Sequence, residues 1–213
     1  MREFLTDPGE IEAQSMKIIT ELLGDKVFGP EEEKIIKRII HATADFDFAG
    51  ITVISRGAVK SARQALQGGN CLLSADTRMI VSGANKGLLK KLGARLECFV
   101  DDEEVRNIAA DCGITRSMAN IRVSAGYNRE GIYLIGNAPT ALYEVLNLVE
   151  AGKIHPALVI GVPVGFVGAA ESKEELMKSD LPFICTRGRK GGSTVAVAIL
   201  HALLNIFLKE QGN

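Results

Sequence analysis

The amino-terminal part of the chain places its apolar side chains at helical spacing. Asp7-Pro8-Gly9-Glu10 is a typical helix start, with an aspartate to cap the first amides and a proline in the first turn. Apolar residues then recur every three or four positions until Gly24, and a second run begins at Gly29-Pro30. This pattern predicts two helices before residue 45.

From about residue 50 onward, short apolar runs alternate with segments of helical spacing. Continuous apolar strands separated by helices are typical of a mostly parallel sheet covered on both faces. The predicted strands are 51–55, 71–74, 96–100, 132–136, 157–161 and 183–186, and the predicted helices between them are 57–67, 86–92, 103–112, 138–151, 170–179 and 193–209. We therefore expect one α/β domain over residues 1–213, a single doubly wound sheet flanked by helices, with a helical N-terminal extension.

Glycine and small polar residues follow five of the predicted strands. These loops are residues 55–57, 74–76, 136–140, 161–171 and 186–193. In open parallel sheets, ligands bind at the carboxyl ends of the strands, where glycine lets the backbone approach and the next helix offers free amides to anions. Any single loop could be no more than a tight turn, but five together predict a large anionic ligand across the strand ends.

Composition and charge exclude several classes of protein. The formal net charge is −1, aromatic residues make up 5% and tryptophan is absent, which argues against nucleic-acid binding. The longest apolar stretch, 195–208, is interrupted by His201 and Asn205 and is too short to span a bilayer. We do not expect the acidic N-terminus, which is broken by Pro8, to be a signal peptide. We expect a cytoplasmic protein that binds neither nucleic acid nor membrane.

The sequence patterns of common cofactor and metal sites are missing. No GxGxxG follows a strand, residues 188–193 lack the order of a phosphate loop, and no GxSxG elbow is present. The four cysteines (Cys71, Cys98, Cys112 and Cys185) are scattered without a CxxC pair, and all but Cys112 lie in apolar runs typical of small buried side chains. We expect no cofactor, no metal site and no disulfide.

Three histidines are candidates for acid–base chemistry. His201 lies in an apolar helix and is better read as a core or interface residue, and His155, in a turn before Pro156, as an exposed one. His41 lies near the end of the second helix, one turn after Arg38. The helical spacing alone indicates that His41 is an exposed surface histidine. Arg38 and His41 together, however, form a compact cationic group suited to an anionic ligand.

Several long segments resemble the precorrin-8X methylmutase family. They are RIIHATADFD, DTRMIVSG, ITRSMANIR, GNAPTALYEVLNLVEAG, PALVIGVPVGFVGAAESKEEL and GRKGGSTVAVA. The resemblance runs from about Pro8 to the last helix, and the GNAPTAL and PVGFVGAAESKE blocks are too long and unusual for a chance match. One departure is Ala44, where the family is expected to favour glycine.

The resemblance implies an isomerase of cobalamin (vitamin B12) biosynthesis that needs no cofactor. Such an enzyme moves a methyl group from C11 to C12 of precorrin-8X or cobalt-precorrin-8, giving hydrogenobyrinate or cobyrinate. The family enzyme is a homodimer with its site near the subunit interface. By alignment, His41 is the acid that protonates a ring nitrogen, Ser15 and Arg38 touch the substrate, and Arg116 is a partner for a substrate carboxylate.

The residue chemistry agrees with that implication. A methyl shift needs the ring to be held in one geometry and biased by a proton, and histidine, with an ordinary pKa of about 6.5, suits a general acid near neutral pH. The carboxylate arms of the macrocycle would be bound by the cationic side chains of Arg187, Arg189 and Lys190. Two alternatives stay open: a non-catalytic corrinoid-binding carrier, and a nucleotide-dependent α/β transferase, against which the missing phosphate motifs count.

Overall fold

Helices and strands alternate along residues 5–211, which the computed structural model of the chain describes. The helices are α1 (Pro8–Leu23), α2 (Pro30–Thr43), α3 (Phe48–Ile51), α4 (Ala58–Gln67), α5 (Arg78–Gly83), α6 (Lys86–Lys91), α7 (Glu103–Cys112), α8 (Arg116–Tyr127), α9 (Pro139–Glu150), α10 (Ala169–Lys178) and α11 (Ser193–Gln211). The strands are β1 (Thr52–Ile54), β2 (Leu72–Ala75), β3 (Arg95–Glu97), β4 (Ile132–Ile135), β5 (Leu158–Gly161) and β6 (Phe183–Thr186). All six predicted strands are confirmed.

The strands form one sheet in the order β1-β6-β5-β4-β2-β3. The pairs from β6 to β3 are parallel, and only β1 runs antiparallel, with Thr52 opposite Thr186 and Ile54 opposite Ile184. The predicted mostly parallel sheet is therefore confirmed. Below, the carboxyl edge is the edge at which β2, β4, β5 and β6 end.

The antiparallel direction of β1 corrects one sequence-based expectation. Ser55, which follows β1, donates its amide to the carbonyl of Phe183 at 2.9 Å, and Phe183 is the first residue of β6. The loop 55–57 therefore lies at the edge opposite the carboxyl edge, away from the other glycine-rich loops. A run of apolar residues does not show whether its strand is parallel or antiparallel to its neighbours. The prediction that all five loops lie at one edge of the sheet was therefore wrong for the loop 55–57.

Both faces of the sheet are covered by helices. Leu134 and Ile160 point into a core shared with α2, α4 and α11, whereas Ile135 and Val159 point into a second core shared with α9 and α10. All four side chains are fully buried, and burying such a side chain is worth about 1.5–3 kcal/mol. The predicted doubly wound arrangement is confirmed.

The two predicted N-terminal helices are confirmed with their caps. Asp7 accepts the amide of Glu10 at 2.8 Å and begins α1, which ends at Gly24. One face of α2 is fully buried against α11; it consists of Ile35, Ile36, Ile39 and Ile40. Within the described part of the chain, no helix combines the length and the apolar character needed to cross a bilayer.

Three helices are not predicted by the sequence pattern. α3 and α5 have four and six residues, too few to show a period. In α8, Asn120 and Ser124 are polar yet fully buried, so the inward face of the helix carries no continuous apolar stripe. The Asn120 amide accepts from the Phe99 amide at 2.7 Å and donates to the Ala75 carbonyl at 3.0 Å, and these contacts offset its burial.

Candidate active site

The end of α2 lies at the carboxyl edge of the sheet. The ammonium of Lys190, in the loop after β6, contacts the carboxylates of Asp45 at 2.6 Å and Asp47 at 2.7 Å. These aspartates follow directly on α2, so His41, about one turn before Asp45, is brought to the same edge. The His41 side chain is exposed and lies in the last helical turn, where the helix dipole favours a cation.

Two other predicted site residues lie on the same pair of helices. The Nη2 atom of Arg38 donates to Oε1 of Glu12 at 2.6 Å and ties α2 to α1. Ser15 is half-buried on α1 and donates its hydroxyl to the Ile11 carbonyl at 2.7 Å. It follows Glu12 by three residues and therefore lies on the same side of α1. The structure brings Ser15, Arg38 and His41 onto one helical hairpin.

The fourth predicted residue, Arg116, lies elsewhere. It is exposed at the first position of α8, a helix that packs with α7 and α9 on the face of the sheet opposite α2. The N-cap of this helix, Thr115, has its hydroxyl 3.0 Å from that of Thr140, at the start of α9. Arg116 is thus placed near the carboxyl end of β4, across the sheet from the helical hairpin.

Asp76 organises the carboxyl edge, and the sequence did not single it out as a site residue. It follows β2, is 1% exposed, and accepts the amides of Gly136 at 3.0 Å, Asn137 at 2.8 Å and Ala138 at 2.7 Å. Burial raises the pKa of its carboxyl, and the three amide donors oppose that shift. The sequence feature that could have marked Asp76 is its position directly after a buried strand.

Close backbone contacts lock the neighbouring loops together. A Cβ atom at Gly136 would lie 2.9 Å from Cα of Ser193, and one at Gly191 would lie 2.2 Å from the carbonyl oxygen of Val162. Both positions therefore need glycine. The loops after β4, β5 and β6 consequently form one continuous surface at the carboxyl edge.

The loop of residues 187–192, here called the basic loop, carries the remaining candidate cations. Arg187 and Arg189 are exposed, and the Arg189 guanidinium lies 5.9 Å from the centroid of the Phe166 ring. Lys190 is already paired with two aspartates; hydrogen bonding to Asp45 raises the pKa of Lys190 and lowers that of Asp45. An open cleft of about 470 Å³ borders the loop, with Arg187 and Lys26 in its lining.

The other two histidines match their sequence-based readings. His155 is exposed. His201 is half-buried, and its Nε2 accepts the amide of Asn85 at 2.9 Å. Burial and, to a smaller extent, the charge of Arg38 lower the pKa of His201. Its ring nitrogen is occupied as an acceptor inside the fold, which leaves His41 as the histidine best placed for chemistry at the carboxyl edge.

The cysteines also match their predicted environments. Cys71, Cys98 and Cys185 are buried free thiols, and burial raises their pKa values, to about 12 for Cys185. Within residues 5–211, no group of three or more His, Cys, Asp or Glu side chains is arranged to hold a metal ion.

Comparison with known proteins decides the family. The model of the precorrin-8X methylmutase family matches residues 10–206, which is nearly the whole chain. The chain belongs to this family. Its motifs at the carboxyl edge and at the end of α2 are therefore methylmutase motifs, as the resemblance in the sequence indicated.

Relatives with full-length similarity support the same assignment. The cobalt-precorrin-8 methylmutase of Leptospira interrogans is 47% identical, with 99% of each chain covered, and that of Salmonella typhimurium is 43% identical, with 94% of this chain and 96% of the relative covered. The precorrin-8X methylmutase of Pseudomonas aeruginosa is 36% identical over 95% and 98% of the two chains. The crystal structure of the Thermus thermophilus precorrin-8X methylmutase superposes with a TM-score of 0.86 at 37% identity, covering 94% of this chain and 98% of that one.

The methylmutase assignment confirms the predicted class of activity. The protein is an intramolecular methyl-shifting isomerase of cobalamin biosynthesis, and the reading as a non-catalytic corrinoid carrier is not favoured.

Proposed function

We propose that this methylmutase moves the methyl group of its substrate from C11 to C12 and that the natural substrate is cobalt-precorrin-8, giving cobyrinate. The relatives named for the cobalt substrate from Leptospira and Salmonella are 47% and 43% identical, whereas the Pseudomonas relative named for precorrin-8X is 36% identical. Both substrates would share the same carbon chemistry, in which one C–CH₃ bond breaks and another forms within the same molecule. Comparing kcat/KM for the cobalt-containing and metal-free substrates tests the choice.

His41 is proposed as the acid that protonates the macrocycle. The observation that carries this assignment is its place: an exposed imidazole at the end of α2, held at the carboxyl edge by the Lys190–Asp45 contact. A positioned general acid contributes about 10²–10⁴-fold to a rate.

The acetate and propionate arms of the substrate need cations around the ring. Arg38 and Ser15 would hold arms on the side of the helical hairpin, and Arg116 would hold one on the far side of the sheet. Arg187, in the 470 Å³ cleft, and Arg189 would meet arms over the basic loop. This distribution suits a wide ligand that lies across the carboxyl edge rather than inside a narrow pocket.

The protein is also proposed to act as a homodimer in the cytoplasm. Phe166 and Val167, in the loop after β5, are 86% and 89% exposed, and Ile11, Ile18 and Leu22 form a second exposed apolar row on α1. Apolar groups exposed in adjacent positions are typical of protein contact surfaces. A second copy that covers them would enclose a ligand on the carboxyl edge. Light scattering at micromolar concentration should give twice the chain mass, and a monomer would contradict the proposal.

The decisive experiment for the proton donor is His41→Ala. We expect kcat to fall by about 10²–10⁴-fold while product affinity stays within about tenfold, because one imidazole is a small part of the binding surface. His155→Ala is the matched control, since His155 is also exposed and lies in the segment before β5, away from α2. Turnover of His41→Ala near the wild-type rate would refute the assignment, and absence of turnover by the pure wild-type protein would favour the carrier.

A further inference from the structure

One fully buried lysine has no place in the chemistry described so far. Lys173 lies on α10, which packs against β6, and none of its surface is accessible to solvent. Lys178, five residues further along the same helix, is exposed and pairs with Glu175 at 2.8 Å. Burying an ammonium group costs stability unless it makes specific contacts, so the contacts of Lys173 are informative.

The Lys173 ammonium holds the base of the basic loop. It donates to the carbonyl of Lys190 at 2.8 Å and to the hydroxyl of Thr186 at 3.2 Å. Thr186 in turn donates its hydroxyl to the same carbonyl of Lys190 at 2.7 Å. The ammonium, the hydroxyl and the carbonyl form a triangle in which each group is hydrogen-bonded to the other two. This triangle joins Thr186, at the end of β6, to Lys190 in the basic loop.

The same loop is bound from two other directions. The Arg187 amide donates to the Ile51 carbonyl at 2.8 Å, and the Gly192 amide donates to the Val162 carbonyl at 2.8 Å. On the outer side, the Lys190 side chain contacts Asp45 and Asp47. A continuous series of contacts therefore runs from Lys173 through the backbone and side chain of Lys190 to the end of α2.

We propose that Lys173 is a positioning residue, which fixes the basic loop from inside so that Lys190 can hold the end of α2 and its His41 in place. The inference rests on the proposed role of His41. An apolar side chain of similar length would fill the same space without a buried charge, but it would give the Lys190 carbonyl no second donor. Burial lowers the pKa of Lys173 to about 8, so at neutral pH the group is mainly the charged donor that these contacts need.

The test compares Lys173→Met with Lys178→Met in the pure, full-length protein. For Lys173→Met we expect kcat to fall at least tenfold, product affinity to stay within threefold, and the unfolding temperature not to fall. Lys178→Met should match the wild type in all three measurements. Lys190→Met should lower kcat in the same way, and the Lys173→Met/Lys190→Met double variant should be no slower than the slower single variant, because both act through one series of contacts.

Each outcome separates this inference from the assignment of His41. A kcat of Lys173→Met within twofold of the wild type, or multiplicative losses in the double variant, would overturn the positioning role. If Lys173→Met does not fold, Thr186→Val removes the hydroxyl from the triangle without touching the lysine, and the same criteria then decide. Failure of the His41 assignment is detected independently, by turnover of His41→Ala.

Discussion

Among the cations of the proposed site, Arg38 has the best-defined place. Its side chain is 24% exposed, its guanidinium is held by Glu12, and it lies one turn from His41. A charge-assisted hydrogen bond to a partly desolvated carboxylate is worth about 1.5–3 kcal/mol, whereas an exposed ion pair contributes about 0–1 kcal/mol. We therefore expect Arg38→Ala to weaken product binding by about 10- to 100-fold and to lower the free energy of unfolding by less than about 1 kcal/mol.

Titration of the product at low and high salt measures the Arg38 effect. Arg106→Ala, at an exposed position of α7, is the control and should bind product like the wild type. Arg189→Ala should cost less than Arg38→Ala and should respond more to salt, because Arg189 is exposed. Equal affinities for the wild type and Arg38→Ala at both salt concentrations would remove Arg38 from the site.

At the scale of single residues, the sequence revealed the solvent-accessible candidates better than the fully buried ones. His41, Arg38 and Ser15 could be found because their motif resembles a family and helical spacing places two of them on one face. Asn120 could not be found, and Asp76 was marked only by its place directly after a buried strand, because their importance lies in hydrogen bonds to backbone amides and carbonyls of distant segments. Such partners are set by the tertiary fold and leave no local pattern.

Among the secondary-structure elements, α2 ends in an unfavourable conformation. Its C-cap, Ala44, has φ 53° and ψ 24° and donates its amide to the Ile40 carbonyl at 2.7 Å. This left-handed conformation costs a residue with a Cβ atom about 1 kcal/mol or more, and glycine avoids that cost. Ala44→Gly should raise the free energy of unfolding by about 0.5–1 kcal/mol.

A matched variant two residues earlier checks the reason for that gain. Ala42 is exposed inside the last turn of α2, where glycine is less favourable than alanine by about 0.5–1 kcal/mol. Ala42→Gly should therefore destabilise the protein, and urea denaturation of both variants compares the two directly. Destabilisation by Ala44→Gly would show that the left-handed conformation is not what determines stability at this position.

Element boundaries could be predicted wherever the local pattern was strong. The predicted helix 103–112 coincides with α7, and the predicted strand 183–186 coincides with β6. The strand at β3 was predicted as 96–100 but comprises Arg95–Glu97. Phe99 and Val100 are apolar without being paired in a strand; the Phe99 amide is bound by the Asn120 side chain instead, and an apolar run cannot show this.

For the molecule as a whole, buried Lys173 predicts a pH dependence of stability. Its pKa is lowered from 10.5 to about 8 in the folded protein by burial, and Cys185 is the ionisable group beside it. Between these two values the unfolded chain binds more protons than the folded one, so the free energy of unfolding rises as pH increases. The rise attributable to Lys173 is up to about 3 kcal/mol.

Denaturation of the wild type and Lys173→Met between pH 7 and pH 10.5 isolates this contribution. Relative to the variant, the wild type should gain stability as pH increases from about 8 towards 10.5, and it should gain little below about 8. A constant difference between the two proteins across this range would mean that Lys173 titrates normally in the fold.

The whole molecule is also expected to work without added cofactors. The sequence shows no dinucleotide, phosphate-loop or metal-ligand spacing. Activity on purified substrate should survive exhaustive dialysis against a chelator, with the rate before dialysis as the reference. Dependence on added nucleotide, S-adenosylmethionine or a divalent metal ion would contradict this expectation.

The architecture as a whole was predictable, but its connectivity was not. Alternation of apolar runs and helical segments predicted the α/β class and the six strands, because that pattern is repeated along the chain. The order β1-β6-β5-β4-β2-β3 and the reversal of β1 depend on which strands pair, and pairing is decided by contacts between segments far apart in sequence. The position of Arg116 across the sheet from His41 follows from that order and was equally hidden.

The reversal of β1 also decides where the beginning of the chain can act. Because β1 runs against its neighbours, the polypeptide enters this strand at the pole where the parallel strands leave the sheet. The helix α2, which is joined to β1 by residues 44–47 and the single turn of α3, therefore ends at that exit pole. With β1 in the opposite sense, the same helix would end at the entry pole, about 10 Å away along a three-residue strand. One reversed edge strand thus brings the N-terminal helical hairpin and the later loops to the same end of the sheet.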